Sequence, residues 1–335
     1  MEIKNRKFDL LKTMKQKSFL ILFLFGLFIA AGCSKQSNFS ILESSGENSS
    51  LLVEEYELVS ADVDTPTHLE FMQRLTPTIT EKRMRWKNLI PNQVVQGANA
   101  ILSKYGYSIK HDAMLSSYTY HLMQGYTILL DGIYPVGSAT ENASQDNFAF
   151  LVQSNDGISY LLQKDGVKEW QPGSSVSFAP IYFGDELIYP VISSTIQILS
   201  ENGTVIYKTS LPSNPVMNPI ETFEKWNGHW ILEKDGEVIM DGKSLNSELG
   251  LNEIFHWQVI QGKPFFFFRE SKDGPYFIQF AGQRLEQEYD EIAHYQCCEA
   301  GAFNPQGNVF MTWFFASRDG KWNYVEAGLY PNLTE

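Results

Sequence analysis

The residues best equipped for chemistry in this 335-residue chain are few and scattered. Cys297 and Cys298 are adjacent, and His294 lies three residues earlier. Consecutive α-carbons sit about 3.8 Å apart across a trans peptide, whereas disulfides prefer about 4.4–6.8 Å. A vicinal bridge would therefore close a strained, redox-labile ring. A reduced pair would instead pack as two small hydrophobes. The sequence accommodates either state. Two thiolates and an imidazole this close cannot all face one ion, so no metal site is expected there. The six histidines, His68, His111, His121, His229, His256 and His294, form no HExxH or other close ligand pair. A nucleophile elbow, an SxxK pair and a phosphate-binding glycine loop are all missing. No cofactor is implied, and no catalytic residue can be named from local spacing.

Acidic pairs occur at Asp290-Glu291 and at Asp62 and Asp64. A glycosidase needs two carboxylates about 5–9.5 Å apart across a cleft, which linear spacing does not encode. In an acidic chain such pairs read first as solvated surface. Trp226 and Trp230 flank Asn227-Gly228-His229. Their indoles could stack on sugar rings, but cross-strand packing at a hairpin is the commoner use. Arg83, Arg85 and Lys87 beside Trp86 read as a solvated basic face.

The elements that would position these groups are mainly strands. From about Tyr118 onward, aromatic and β-branched runs alternate with turn pairs: Asp131-Gly132, Asp156-Gly157, Asp165-Gly166, Asn202-Gly203, Asp235-Gly236, Asp241-Gly242, Asp273-Gly274 and Asp319-Gly320. Such pairs tolerate the positive φ that tight hairpins demand. The recurring strand–turn–strand shape, about every 40 residues, fits a four-stranded propeller blade. Residues 118–335 are thus expected to form a mainly β, propeller-like or other repeated antiparallel hairpin domain of about five blades. The run Phe265–Phe268 lacks alternation and predicts a strand buried on both faces. Residues 51–117 read as a small mixed or helical region. Val94, Val95, Ala98, Ile101, Leu102 and Tyr105 share one helical face, with Pro91 suited to the first turn and Gly106 to the stop. A second helix is expected from about His68 to Leu75.

The N-terminus carries a different signal. Six cations within residues 1–18 precede the uncharged run FLILFLFGLFIAA, and then Gly32, Cys33 and Ser34. This is the order of a secretory signal, and its apolar run is short for a permanent span. Ala30, Ala31, Gly32 and Cys33 resemble the lipobox of bacterial lipoproteins, with alanine where that family usually has leucine. The resemblance implies cleavage after residue 32 and a diacylglycerol and acyl chains such as palmitate on Cys33. An ordinary signal peptide or an uncleaved anchor is the alternative. Met14 offers a second start with a more usual signal length. Residues 33–50 would then be the lipidated cysteine and a serine-rich tether, since 7 of the 17 residues after Cys33 are serine. The segment DGPYFIQFAGQRLEQEYDEI is similar to WG-type β-repeats, with Tyr276, Phe277 and Tyr289-Asp290 at the matching positions and the Trp-Gly pair itself missing. The body also resembles β-repeat lipoproteins to which no activity is assigned.

Charge narrows the functional classes. The full chain carries 26 basic and 39 acidic residues. Without the signal the net charge falls to about −17, which repels nucleic acid and anionic head groups. The reading is an extracytoplasmic module held to a membrane through Cys33, binding an envelope protein, peptide or glycan without catalysis. A hydrolase acting on envelope or environmental polymers is the alternative.

Overall fold

The computed structural model describes residues 39, 42, 51–58, 95–111, 120–171, 178–212, 219–297, 301 and 303–329. Cys33, the basic cluster at 83–87, the expected helix at 68–75 and Cys298 lie outside the described residues. The chain divides into two units, Met1–Asn38 and Phe39–Glu335, and every described residue belongs to the second.

The second unit is a mainly β domain with a short helical segment near its start. Among the described residues it contains five antiparallel sheets, in a propeller-like succession. The first sheet has seven strands and spans residues 107–169. The second, third and fourth are four-stranded meanders over residues 181–210, 222–244 and 253–289. The fifth joins Leu52–Glu57 to Lys321–Gly328, Met311–Arg318, Glu291–Ile292 and Gln306–Gly307. The early strand pairs in register from Leu52 opposite Gly328 to Glu57 opposite Asn323, so both ends of the unit are held in one sheet.

Each sheet packs its face on the next. Leu151 and Leu161 of the first meet Tyr182 and Leu187 of the second. Ile188 and Ile198 then meet Phe223 and Leu232 of the third. Trp226 and Ile231 meet Trp257, Phe266 and Phe268 of the fourth. Phe265, Phe267 and Ile278 close on Phe314 and Val325 of the fifth. Phe265, Phe266, Phe267 and Phe268 are all fully buried, as their unalternating run predicts. Each such side chain contributes roughly 1.5–3 kcal/mol when removed from water.

Residues 95–102 are helical, and a short 3-10 turn, Ser103–Tyr105, follows. Gly106 ends it in the left-handed conformation at φ 82°, with its N–H donating to Ser103 O, as the sequence predicts. Ala98 and Leu102 pack on Ile109, Leu122 and Phe148 of the first sheet.

Two local expectations change. Asp131-Gly132 is no hairpin turn: it lies within the strand Thr127–Pro135, where pairing passes from Tyr120–Gln124 to Phe148–Ser154. Gly132 has φ 62°, and a Cβ there would meet Asn155 Nδ2 at 2.6 Å, so glycine serves a strand kink. The serine-rich stretch also contains two docked residues. Phe39 is 5% and Leu42 0% exposed, packed in the cluster between the third and fourth sheets. Phe39 meets Phe266 and Phe268 edge-on, and this apolar burial outweighs the polarity of the surrounding residues.

Candidate functional site

The candidate site lies where the edge strands of three sheets adjoin. These are Thr222–Trp226 of the third sheet, Glu253–Ile260 of the fourth and Gln306–Gly307 of the fifth. They enclose a cavity of about 300 Å³ lined by Glu221, Glu233, His256, Gln258, His294 and Tyr295, among others.

A β-bulge builds its wall. Pairing between Glu253–Ile260 and Lys263–Arg269 slips between Phe255 and Gln258. At the slip His256 takes φ 56°, a left-handed conformation uncommon for a residue with a side chain. The bulge turns the backbone N–H groups of His256 and Trp257 away from their own sheet. Glu233, on the neighbouring sheet, receives both: His256 N donates to Oε1 at 2.7 Å and Trp257 N to Oε2 at 2.8 Å. Tyr295 Oη donates to Oε1 at 3.1 Å and accepts from Gly236 N at 2.8 Å. Glu233 is 1% exposed. Burial pushes its carboxyl up to about 7, further raised by Glu221 and opposed by these three donors.

His256 is thereby held in one tautomer. Thr312 Oγ1 gives its hydrogen to Gln306 O at 2.9 Å and so accepts from His256 Nε2 at 2.8 Å. Nδ1 is left as a lone pair with no protein partner among the described residues. Burial pushes the imidazole down to about 3, so it stays neutral. The ring stacks on Phe267 with centroids 5.7 Å apart.

His294 is fully committed. Nδ1 meets Ile292 O at 2.6 Å and Nε2 meets Glu253 Oε1 at 3.2 Å. Both ring nitrogens thus face oxygen atoms of the protein. Its ring stacks on Phe255 with centroids 3.9 Å apart and 13° between planes. Burial raises the Glu253 carboxyl, but His294, Arg269 and Tyr276 outweigh it and the net direction is down.

Three groups on the cavity wall keep hydrogen-bonding capacity unspent. Gln258 packs its amide against Gly307, where a Cβ would lie 1.6 Å from Oε1, and its Nε2 is buried without a protein partner. Glu221 has no side-chain partner among the described residues, and partial burial raises its carboxyl. The third is His256 Nδ1.

The residues that sequence spacing singles out fall elsewhere or partly here. His294 reaches the cavity wall, whereas Cys297 is exposed and does not line it. Trp226 and Trp230 are 4% and 2% exposed and serve the core, as cross-strand packing predicts. Asp290 and Glu291 are exposed. Tyr276 and Tyr289 pair across their strands. Glu221, Glu233, His256 and Gln258 carried no local motif, because they converge only when the third and fourth sheets pack. Among the described residues no group of three or more histidine, cysteine, aspartate or glutamate side chains is placed to hold a metal ion. No helix among them is long and apolar enough to cross a membrane.

No protein-family model and no characterised protein matches the sequence. Solved structures with some likeness include an oligogalacturonate lyase in complex with manganese, 9% identical over 65% of this chain and 73% of that one, TM-score 0.30. BamB from Moraxella catarrhalis is 10% identical over 64% and 87%, TM-score 0.21. A structural-genomics protein of unknown function from Bacteroides thetaiotaomicron is 11% identical over 67% and 67%, TM-score 0.25. At these TM-scores the likeness carries no functional argument.

Proposed function

We propose that this chain is a lipid-anchored extracytoplasmic binding module, and that the cavity between the third, fourth and fifth sheets is its ligand site. One observation carries the site: the strongest acids and bases of the wall are already bonded to protein, while neutral hydrogen-bonding groups are left unspent. Glu233 accepts from three donors and His294 meets two acceptors. His256, with its depressed basicity, is a weak proton acceptor near neutral pH. Such a wall recognises a ligand and is poorly poised to move protons. A hydrolase of the glycosidase type needs two available carboxyl groups. Glu221 is the carboxyl in this wall, among the described residues, that has no bonded side-chain partner.

The anchor is read from Cys33 and its preceding small residues. Phe39 begins the packed unit six residues later in the chain, so a lipidated Cys33 would place the module close to a membrane.

Two measurements test this reading. Metabolic labelling with a palmitate analogue should mark the wild-type protein and fail to mark Cys33→Ser; equal labelling contradicts the anchor. The wild-type protein should retain a ligand from envelope extract, identified by mass spectrometry, that Gly307→Leu does not retain. Gly307 has no positive φ, and its new side chain would drive Gln258 into the cavity. Equal retention by both proteins contradicts the site.

A further inference from the structure

The unspent groups of the wall define the chemistry of what it takes. We infer that the cavity binds a neutral, hydroxyl-rich ring, such as the terminal unit of an uncharged glycan. This rests on the cavity being a ligand site and goes beyond it by naming the ligand class.

Donors and acceptors on the wall set the ligand's complement. His256 Nδ1 can only accept, because Nε2 holds the ring's one hydrogen against Thr312. Gln258 Nε2 can only donate and is buried without a partner. An unpaired buried amide hydrogen is costly, so a ligand acceptor is favoured beside it. Glu221 adds a carboxyl at the same wall. A ligand must therefore donate to the histidine and accept from the amide across a short span. A hydroxyl group does both, and a ring bearing several does so without a net charge.

Other classes fit less well. An anion, whether carboxylate or phosphate, would face Glu221 and the buried Glu233, and a carboxylate group would offer no hydrogen to His256 Nδ1. An alkylammonium would satisfy Glu221 and His256 but leave Gln258 Nε2 unpaired, since it has no acceptor. An apolar ligand would leave all three groups unpaired. Size agrees: about 300 Å³ admits one sugar ring and excludes a long chain lying flat. The Phe255 ring, stacked on His294 and 1% exposed, gives the site a rigid floor.

The experiment is saturation-transfer NMR on the full-length protein in detergent. The probes are glucose, galactose, mannose and N-acetylglucosamine, with galacturonate and butylammonium as charged comparisons. At least one neutral sugar should give a signal and bind more tightly than either charged probe. Its affinity should fall about tenfold or more in Gln258→Met, which keeps the side-chain length and removes the amide. Glu286→Gln, exposed on the strand Gln283–Tyr289 and outside the cavity lining, should retain binding within a fewfold. Thermal unfolding of each variant confirms that the fold is intact. Preferential binding of galacturonate or butylammonium overturns the inference. So does sugar binding that Gln258→Met leaves unchanged. If an envelope ligand is retained through the cavity while no neutral sugar binds, the ligand class is wrong and the binding-site reading stands. If neither is retained, both fall.

Discussion

Replacing Glu233 by glutamine tests how the cavity wall is held. In the wild type one carboxyl serves the two bulge amides at 2.7 and 2.8 Å and the Tyr295 hydroxyl at 3.1 Å. Glutamine keeps one acceptor oxygen and turns an NH2 toward a donor. At least one of those donors then loses its partner in a site that is 1% exposed. An unpaired buried donor costs about 1–3 kcal/mol. Glutamine also removes an opposing cost. Burial raises the Glu233 carboxyl from 4.5 to about 7, so ionising it in the folded protein costs about 3 kcal/mol at high pH. The sign follows from a raised folded-state value: the wild type has this stability in full below about pH 4.5 and loses it as pH rises through 7. The variant has no such loss. Glu233→Gln should therefore be less stable than the wild type by about 1–3 kcal/mol at pH 4, and as stable or up to about 2 kcal/mol more stable at pH 8. Urea unfolding of both proteins at each pH measures this, and other titrating groups largely cancel in the difference. A stability gap that stays constant with pH, or widens toward pH 8, would show that Glu233 does not hold the bulge in this way.

Further outcomes follow from the same packing. Phe267→Ala empties a fully buried position between the fourth and fifth sheets and should cost about 3–5 kcal/mol in urea unfolding. Thr312→Val removes the acceptor of His256 Nε2 and the donor to Gln306 O, so the nitrogen-15 spectrum of His256 should lose its single-tautomer signature. Phe39→Ser should expose the cluster between the third and fourth sheets and speed protease cleavage in residues 34–50; an unchanged cleavage rate contradicts the docking of this segment. Arg318→Ala breaks a two-toothed pair with Glu55, but the pair is partly exposed and the loss should stay below about 1 kcal/mol in chemical unfolding.

Much of the fold was legible in the sequence, and the reasons are local. Asp235-Gly236, Asp241-Gly242 and Asp319-Gly320 each close a two-residue hairpin with both residues at positive φ, the conformation those pairs tolerate best. The unbroken Phe265–Phe268 run announced a strand covered on both faces. Gln261-Gly262 and Ala281-Gly282 make the same hairpin geometry, yet glutamine and alanine carry little turn signal, so only their glycines hinted at it. Asp131-Gly132 shows the converse, a turn-like pair used inside a strand.

The cavity was not legible, for a physical reason. Glu233 precedes Lys234, Asp235 and Gly236, and by composition it belongs to a solvated strand end. It is buried because a bulge three strands further along the chain presents two N–H groups that need an acceptor. His256 offers no spacing to Glu233 or Thr312 that a motif could encode, since the three come from different sheets. His294 drew notice beside Cys297 and Cys298, but its partners are Ile292 and Glu253. Phe39 and Leu42, three residues apart, dock although the serines around them read as a tether.

Whether a ligand is held against the unspent groups of this wall can be decided at one nitrogen. Histidine-labelled protein should be titrated with the ligand fraction released from the wild-type protein, and the imidazole nitrogens followed by NMR. His256 Nδ1 should shift toward a hydrogen-bonded value while Nε2 stays protonated against Thr312. Saturable ligand binding that leaves His256 Nδ1 unmoved would place the ligand elsewhere and remove the basis for this binding site.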